Sequence, residues 1–389
     1  MDLLIEKLVY GGEGLARDNG KVVLTPFVLP GEHVVVNPVT QKKDLVRARA
    51  TEVRQPSPHR TTAPCRYFET CGGCAYQHAQ YAFEVEQKVE ILREVLRRVG
   101  KFDAPTDIAT VTGPEWEYRN RVQLHFDGRR LGFHEAGSHE VVGVDRCPIS
   151  SPTLNQAITR LQALSKSRRW PEFLRTFELF TNEEQTLFNV TDSGPRRVSR
   201  SFFEWVNGEV PGALESALNY DGFRVSHRSF FQVNRFLIQS LVETALGDVR
   251  GGTCLDLYAG VGLFTRALVD RFAKVTAVEA VQSAVADLVV NVPGATVVRQ
   301  PVEEFLETVD SAPDYVIADP PRAGLTGKVT QQLLRIRPPR LTIISCDPAT
   351  LARDLAALLP TYKIDSMTLI DLFPKTAAIE SVAQLVLTT

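Results

Sequence analysis

The chain is poor in cysteine, has no excess of either charge and contains no long apolar run. Six cysteines in 389 residues are too few, at this length, to indicate a secreted domain held together by disulfides. A net charge of −2 excludes recognition of a polyanion by global charge alone. No apolar stretch approaches the roughly 18 residues of a membrane span, and the N-terminus lacks the pattern of a signal peptide. These absences predict a cytoplasmic protein that does not bind a membrane.

The rest of the composition is that of an ordinary globular protein. Apolar residues make up 44% of the chain and charged residues 23%, which excludes wholesale disorder and a coiled coil. The length predicts two or three domains. Residues 1–60 are mildly basic and residues 231–389 mildly acidic. An interaction with nucleic acid must therefore be argued from local motifs.

Changes of pattern divide the chain into three predicted segments. Residues 1–55 contain short alternating stretches separated by Gly and Pro, which indicates a small β-barrel or sandwich, with a purely structural subdomain as the equal alternative. Residues 56–230 mix helix and strand patterns and predict an α+β domain. In residues 231–389, short apolar strands alternate with amphipathic helices, which predicts a parallel, doubly wound α/β sheet.

The periodicity also predicts individual elements. A helix is expected over residues 81–99, because apolar residues recur at helical spacing and Gly100 follows. The C-terminal segment predicts five parallel strands and two that close the chain: 253–257, 274–278, 296–299, 314–318, 341–345, 363–370 and 381–387.

A glycine-rich turn, DLYAGVG at residues 256–262, follows the first of these strands. Its glycines allow a ligand to approach the backbone closely. The second strand ends at Glu279, placed to accept hydrogen bonds from ribose hydroxyls, and the fourth ends at Asp319. This pattern favours a class I methyltransferase fold that binds S-adenosylmethionine over an NAD-type Rossmann domain or a plain turn, because the usual phosphate fingerprint is incomplete.

A cysteine lies just after the fifth predicted strand. Cys346 precedes a helix that opens at Pro348, and the helix dipole is expected to stabilise its thiolate. A thiolate beside a methyl donor suggests alkylation of uracil C5 after addition of sulfur to C6. Glu380, just before the last strand, is a candidate base for the C5 proton. Taken alone, Cys346 is typical of a small core residue and Glu380 of a solvated surface acid.

Five stretches together resemble the RumA/TrmA family of RNA uridine-C5 methyltransferases, over essentially the whole chain. They are SFFQVN (229–234), DLYAGVG (256–262), DPPR (319–322), SCDPATLARD (345–354) and DLFPKT (371–376). The resemblance implies that Cys346 is the nucleophile and Glu380 the proton acceptor. It also implies four contacts with S-adenosylmethionine, one of which, Asp319, also reaches the uracil: Gln232, Tyr258, Glu279 and Asp319.

Several positions depart from the family pattern. Leu263 stands where Asn is common, Pro301 replaces a polar residue near the adenine, and Ala378 stands where His is usual; Asp347 in place of Asn is a milder change. The departures predict weaker cofactor binding with the nucleophile and base retained. The alternative hypothesis is a non-catalytic iron–sulfur RNA-binding protein with a degenerate pocket.

Four further cysteines indicate a metal site. Cys65, Cys71 and Cys74 lie within ten residues, and Cys147 lies apart. Thiolates select zinc or iron–sulfur clusters, and free surface thiols in this number would invite oxidation. The spacing resembles the [4Fe-4S] site of the RumA branch, with zinc as the alternative, and a structural role is expected because this methylation needs no redox step. Cys254 is expected in the core.

The expected partner is structured RNA. The N-terminal segment resembles a TRAM domain, an OB-like RNA binder, and arginines near aromatic residues, including Arg119 and Arg121, suit phosphates and unstacked bases. The TRAM-like segment together with four cysteines favours 23S rRNA, with the T-loop of tRNA as the alternative. We expect the protein to act as a monomer.

Overall fold

The structure, a computed structural model, describes residues 1–388. Hydrogen bonding arranges the strands of these residues into four sheets of six, five, two and eight strands. Within the described residues, no helix is both long and apolar enough to cross a membrane.

The six-stranded sheet is built by the N-terminal segment. Its strands are β1 (Asp2–Leu4), β2 (Lys7–Leu8), β3 (Glu13–Asp18), β4 (Lys21–Pro26), β5 (His33–Gln41) and β6 (Leu45–Gln55). The order β1-β5-β6-β4-β3-β2 leaves β1 and β2 at opposite edges, although only Ile5 and Glu6 separate them in the chain. Ile5 N–H donates to the carbonyl of Glu32 and Glu6 N–H to that of Leu15. The sheet therefore closes on itself around an aliphatic core.

The next helix and strand belong to the layers of the C-terminal sheet. Helix α1 (Tyr81–Val95) continues as a π-helical turn, Leu96–Gly100, so the predicted helix over 81–99 is confirmed. Its residues Ile91 and Leu92 pack in the same core as the C-terminal strands. Strand β7 (Ala109–Val111) pairs with the C-terminal sheet, which the sequence pattern did not predict.

The middle of the chain folds as an antiparallel five-stranded sheet with flanking helices and a hairpin. The elements are β8 (Arg121–Phe126), β9 (Leu131–His134), β10 (Val141–Gly143), α2 (Pro152–Leu164), β11 (Thr176–Thr181), β12 (Thr186–Asp192), α3 (Arg200–Asn207), β13 (Ala217–Tyr220) and β14 (Phe223–Ser226). Helix α2 starts where Pro152 follows the cap residue Ser151, whose side chain accepts from Leu154 N. Trp170 and Phe177 pack in the core between sheet and helices.

The C-terminal segment forms the alternating α/β layer structure that the pattern predicts. Its elements are α4 (Ile238–Leu246), β15 (Gly251–Leu257), α5 (Leu263–Leu268), β16 (Phe272–Glu279), α6 (Gln282–Asn291), β17 (Thr296–Arg299), α7 (Val302–Glu307), β18 (Tyr315–Ala318), α8 (Gly327–Ile336), β19 (Arg340–Ser345), α9 (Pro348–Leu358), β20 (Tyr362–Ile370) and β21 (Glu380–Leu387). The five predicted parallel strands are confirmed. The strands β15, β16, β18 and β19 are buried on both faces along most of their length, which explains their apolar runs, whereas the edge strand β17 is only half-buried or exposed.

The strand order of the eight-stranded sheet indicates where a ligand binds. It runs β17-β16-β15-β18-β19-β21-β20-β7, and every neighbouring pair is parallel except the two that involve β21. The order reverses at β15, which lies between β16 and β18. A ligand in such a sheet binds outside the carboxyl ends of the strands at this reversal.

Candidate active site

A cavity of about 630 Å³ lies at the carboxyl ends of β15, β16, β18 and β19. The six residues predicted from the sequence for the nucleophile, the base and the cofactor contacts all line it: Gln232, Tyr258, Glu279, Asp319, Cys346 and Glu380. They come from six separate stretches of the chain, and the sheet brings them together because each follows, ends or begins a strand or lies on the loop above it.

The glycine-rich turn forms one wall of this cavity. Tyr258 has a positive φ of 64°, which a side chain adopts only under constraint, and Gly262, with φ 97°, is the cap residue of α5. A Cβ at Gly262 would lie 2.6 Å from Leu288 Cδ1, so only glycine fits there. Gly262 therefore lets the turn pack against α6, while Gly260, also at positive φ, lines the cavity without a side chain.

Glu279 is held in place by backbone donors from two turns. Its Oε2 accepts a hydrogen bond from Gly260 N at 2.9 Å, and its Oε1 accepts one from Val281 N at 2.7 Å. Each carboxylate oxygen can accept two hydrogen bonds. The side chain thus keeps acceptor capacity toward the cavity, as a partner of two ribose hydroxyls needs.

Two buried carboxyl groups, Asp256 and Glu380, and the half-buried carboxyl group of Asp319 lie in or under the cavity. Burial raises the pKa of Asp256 to about 7, although the Thr265 hydroxyl donates to one of its oxygens. The other oxygen of Asp256 has no partner among residues 1–388. Burial raises the pKa of Asp319 to about 7, and burial with the charge of Asp319 raises that of Glu380 well above its usual value. The site therefore retains protons at neutral pH.

The expectation that the helix dipole stabilises the Cys346 thiolate is wrong for this structure. Burial, together with the charge of Glu380, raises the pKa of the thiol to about 11, which Arg322 only partly offsets. The N-terminus of α9 is already capped, because Asp347 Oδ1 accepts from the N–H groups of Ala349 and Thr350 at 2.9 and 3.0 Å. The helix donors are therefore used by Asp347 rather than directed at the sulfur.

The loop that leads to Glu380 is anchored by buried charges. Lys88 Nζ lies 2.8 Å from Asp371 Oδ1 and 2.9 Å from Glu84 Oε1, and all three side chains are buried. Lys375 Nζ lies 2.7 Å from Glu115 and 3.3 Å from Glu84. These pairs join α1 to the DLFPKT stretch and so set where the following Glu380 lies.

Two further residues of the cavity lie where RNA would enter: Arg119, which the sequence indicated as an RNA contact, and Phe230, to which the sequence assigned no role. The ring of Phe230 is 58% exposed at the rim, two residues before the buried Gln232. Arg119 lines this cavity and also the cysteine cavity described below. Both lie in motifs noted in the sequence, but exposure at a cavity rim leaves no mark on a sequence pattern.

The departures from the family pattern occupy different places. Leu263 and Ala378 line the cavity. Pro301 is not among the residues that line it; it is the cap residue of α7, where its carbonyl accepts from Phe305 N at 3.1 Å. Cys254 is buried within β15, which confirms the expectation of a core residue.

The remaining four cysteines line a second cavity of about 450 Å³: Cys65, Cys71, Cys74 and Cys147. Burial and the neighbouring thiols raise the pKa of Cys71 to about 11. In the part of the chain that the structure describes, no three His, Cys, Asp or Glu side chains converge on the position of one metal ion. The four thiols therefore share a cavity without forming a closed single-ion site.

The strand order and the cavity at its reversal define an α/β methyltransferase. The structure resembles that of the Pyrococcus abyssi tRNA (uracil-54, C5)-methyltransferase in complex with S-adenosyl-L-homocysteine. The TM-score is 0.75 and the sequences are 26% identical, over 99% of this chain and 100% of that one. Residues 306–387 also match the model of the tRNA (Uracil-5-)-methyltransferase family.

Two relatives cover almost the whole chain. An uncharacterized RNA methyltransferase of Aquifex aeolicus is 33% identical over 99% of this chain and 98% of its own length. The 23S rRNA (uracil(1939)-C(5))-methyltransferase RlmD of Salmonella choleraesuis is 33% identical over 95% of this chain and 92% of its own. The chain belongs to the RumA/TrmA family of RNA uridine-C5 methyltransferases, which confirms the resemblance. It is an S-adenosylmethionine-dependent enzyme, contrary to the alternative of a non-catalytic RNA-binding protein.

Proposed function

We propose that the protein forms 5-methyluridine in 23S rRNA, with Cys346 as the nucleophile and Glu380 as the base. The observation that carries this proposal is that both residues line one cavity with the four expected cofactor contacts. A cavity of this size and mixed polarity can hold a nucleoside-derived cofactor together with one uracil ring of the RNA.

The cofactor contacts follow from the donor and acceptor groups of the cavity. Glu279 is held by two backbone N–H groups and has lone pairs left for the ribose hydroxyls. Tyr258, Gln232 and Asp319 would complete the contacts around the methionine part and the sulfonium. S-adenosylmethionine, when bound, supplies an electrophilic methyl group.

The residues of the chain supply the covalent and proton-transfer steps. The thiol of Cys346 passes its proton to the carboxylate of Asp319 as the sulfur adds to uracil C6, and Glu380 stays ionised. The electrons of the C5–C6 double bond move toward the C4 carbonyl, which makes C5 nucleophilic. After C5 has been alkylated, Glu380 accepts the C5 proton, and the bond between sulfur and C6 breaks to release the thiolate. The raised pKa of Glu380 suits a base that works near neutral pH.

The rim of the cavity suits a nucleobase that is unstacked from its neighbours in the RNA. A uridine inside structured RNA must be turned outward before Cys346 can reach C6. The exposed ring of Phe230 offers a stacking surface at the entrance, and Arg119 offers a cation for a phosphate or a base edge. Phe230 and Arg119 are therefore proposed as RNA contacts.

The choice of 23S rRNA rests on the relatives. The Salmonella relative that covers 95% of this chain carries the name of a 23S rRNA uracil-C5 methyltransferase. The similar archaeal structure is that of a tRNA uracil-54 methyltransferase, which supports the T-loop of tRNA as the second candidate. The higher sequence identity of the Salmonella relative favours rRNA.

We further infer that residues 1–55 are a TRAM-type RNA-binding barrel, followed by a central α+β segment at 56–230 and the methyltransferase segment at 231–389. The closed six-stranded sheet of residues 2–55 supports the first assignment. The boundary between residues 230 and 231 does not separate two independently packed units, because α1 and β7 of the central segment pack with the C-terminal sheet.

We also propose that Cys65, Cys71, Cys74 and Cys147 hold a [4Fe-4S] cluster with a structural role. Four thiols around one cavity of about 450 Å³ suit a group wider than a single ion. Zinc would need the same four thiols to converge tetrahedrally on one point, so metal analysis decides between the two groups. Iron and sulfide analysis of anaerobically purified protein should give about four of each per chain. One zinc and no iron per chain would reject the cluster.

The proposed reaction is tested with RNA that contains 5-fluorouridine. Fluorine cannot leave as a proton does, so the methylated adduct should stay attached to Cys346 and survive denaturing electrophoresis. We expect an adduct for the wild type and for Cys254→Ala, a matched control at a buried cysteine outside the cavity, and none for Cys346→Ala. Comparison of a 23S rRNA fragment with a tRNA T-arm tests the substrate. An adduct in Cys346→Ala would contradict the assigned nucleophile.

A further inference from the structure

One residue of the N-terminal barrel reaches the loop that carries the nucleophile. Tyr10 lies in the turn between β2 and β3, and its hydroxyl donates to Asp347 Oδ2 at 3.0 Å. Asp347 is the residue directly after Cys346. The two partners are 337 positions apart in the chain, so the contact exists only because the barrel packs against the methyltransferase sheet.

The turn that carries Tyr10 is fitted closely to the active-site side of the molecule. Gly12 has a positive φ of 89°, and a Cβ added there would lie 2.7 Å from Ala75 Cβ and 3.3 Å from Ala377 Cβ. Ala377 precedes Glu380 by three positions. The turn is therefore packed between the cysteine loop and the loop that precedes Glu380, and this close packing limits the movement of Tyr10.

The two carboxylate oxygens of Asp347 accept hydrogen bonds from different parts of the chain. Its Oδ1 accepts from the N–H groups of Ala349 and Thr350 and so caps α9, while its Oδ2 accepts from Tyr10. Burial, followed by the nearby charge of Asp347 and then its hydrogen bond, raises the pKa of the Tyr10 phenol, and Cys346 adds to the shift. The phenol is therefore near both Asp347 and the sulfur, and it stays a neutral donor at physiological pH.

We propose that Tyr10 is a positioning residue for Cys346: the N-terminal barrel, through this hydroxyl, fixes the loop that presents the nucleophile. The proposal rests on the proposed function, because it assigns Tyr10 to the step in which Cys346 adds to the uracil. The barrel then does more than bind RNA.

The test compares Tyr10→Phe, which removes only the hydroxyl, with Asp347→Asn, which keeps both contacts. In Asp347→Asn the amide oxygen still caps α9, and the amide N–H donates to the Tyr10 oxygen. Val39→Ala, at a position 68% exposed on the same barrel, is the matched control. At saturating 5-fluorouridine RNA, we expect adduct formation to be about 5-fold slower in Tyr10→Phe and within about 2-fold of wild type in the other two variants.

RNA affinity separates positioning from direct contact with RNA. If Tyr10 positions Cys346, the Kd of Tyr10→Phe for RNA stays within about 2-fold of wild type while the saturated rate falls. In an Asp347→Ala background, the same substitution should change the rate by less than about 2-fold, because its partner is already absent. A Tyr10→Phe protein that binds RNA weakly but reacts at the wild-type rate when saturated overturns the proposal. Equal effects of Tyr10→Phe in both backgrounds overturn it as well.

A readout without RNA keeps this proposal separate from the proposed function. Alkylation of Cys346 by iodoacetamide, followed by peptide mass spectrometry, reports how firmly the loop is held. We expect the rate to rise about 3-fold in Tyr10→Phe and to stay unchanged in Asp347→Asn and Val39→Ala. If the wild type forms no adduct with any RNA, the proposed function fails, whereas this measurement still decides the role of Tyr10. An unchanged alkylation rate in Tyr10→Phe rejects that role.

Discussion

The backbone N–H of Ala75 donates to the carbonyl oxygen of Lys375 at 2.8 Å, and the N–H of Tyr76 donates to the same oxygen at 3.0 Å. Ala75 directly follows Cys74, and Lys375 lies five positions before Glu380. The cysteine loop and the loop that leads to the base therefore share backbone hydrogen bonds. A change of order in the cysteine loop is therefore expected to reach the loop before Glu380 through this junction.

The first prediction concerns removal of the cluster that we propose for the four cysteines. Cys74→Ser, or chelation of iron from the purified protein, should loosen residues 65–74 and with them the partners of Lys375. We expect amide hydrogen exchange over residues 371–380 to become about 10-fold faster, because these amides then open locally more often. Exchange over α6, which makes no contact with the cysteine loop, serves as the control. Unchanged exchange at 371–380 after loss of the metal would contradict the coupling.

The second prediction concerns the buried charges under the same loop. Lys88→Met should lower the free energy of unfolding by about 3–5 kcal/mol, because the buried Asp371 would lose its cation and Glu84 would keep only Lys375. Urea unfolding measures the change. The control is Arg200→Met, which removes an exposed pair with Glu204 and should cost about 0–1 kcal/mol. Equal costs for the two variants would show that the Lys88 network adds nothing to stability.

The parts of the fold that the sequence predicted are those with local signals. Strands buried on both faces are continuous apolar runs, so β15, β16, β18 and β19 are recognisable, and residues at their carboxyl ends converge by the rule for parallel sheets. Strand β7 is three residues long and only its pairing with β20 identifies it. The contact of Tyr10 with Asp347 joins distant parts of the chain and has no local signal.

The protonation state of the nucleophile was predicted incorrectly for a related reason. A helix N-terminus can be recognised from Pro348 and Asp347, and the dipole argument follows from it. The burial of Glu380 beside the thiol depends on the antiparallel placement of β21 next to β19, which the local pattern does not specify. Burial and the charge of Glu380 raise the pKa of the thiol, whereas the helix dipole was expected to lower it.

The third prediction tests this thiol. Because burial and the charge of Glu380 raise its pKa to about 11, alkylation of Cys346 should still be accelerating between pH 9 and pH 10.5. Glu380→Gln removes the negative charge, lowers the thiol pKa and should speed alkylation at pH 9 by about 3–10-fold. Glu86→Gln, an exposed position on α1, is the control. A rate that levels off below pH 8 would show that the thiol is already activated in the free enzyme.

The fourth prediction concerns stability and pH at Asp319. Burial raises its folded-state pKa to about 7, above its unfolded value near 4, so the folded protein holds a proton that the unfolded chain releases. The stability from this group is therefore complete below about pH 4 and is lost as the pH rises toward 7.

Asp319→Asn removes that loss of stability and should raise the Tm at pH 8 by roughly 2–6 °C. The difference in Tm between variant and wild type should narrow toward pH 5. Calorimetry across this range measures it, and the exposed Asp310→Asn should match the wild type throughout. A Tm difference that stays constant from pH 5 to pH 8 would show that Asp319 is already ionised in the folded protein at pH 5. The raised pKa that we assign to the neighbouring Glu380 would then need a different explanation.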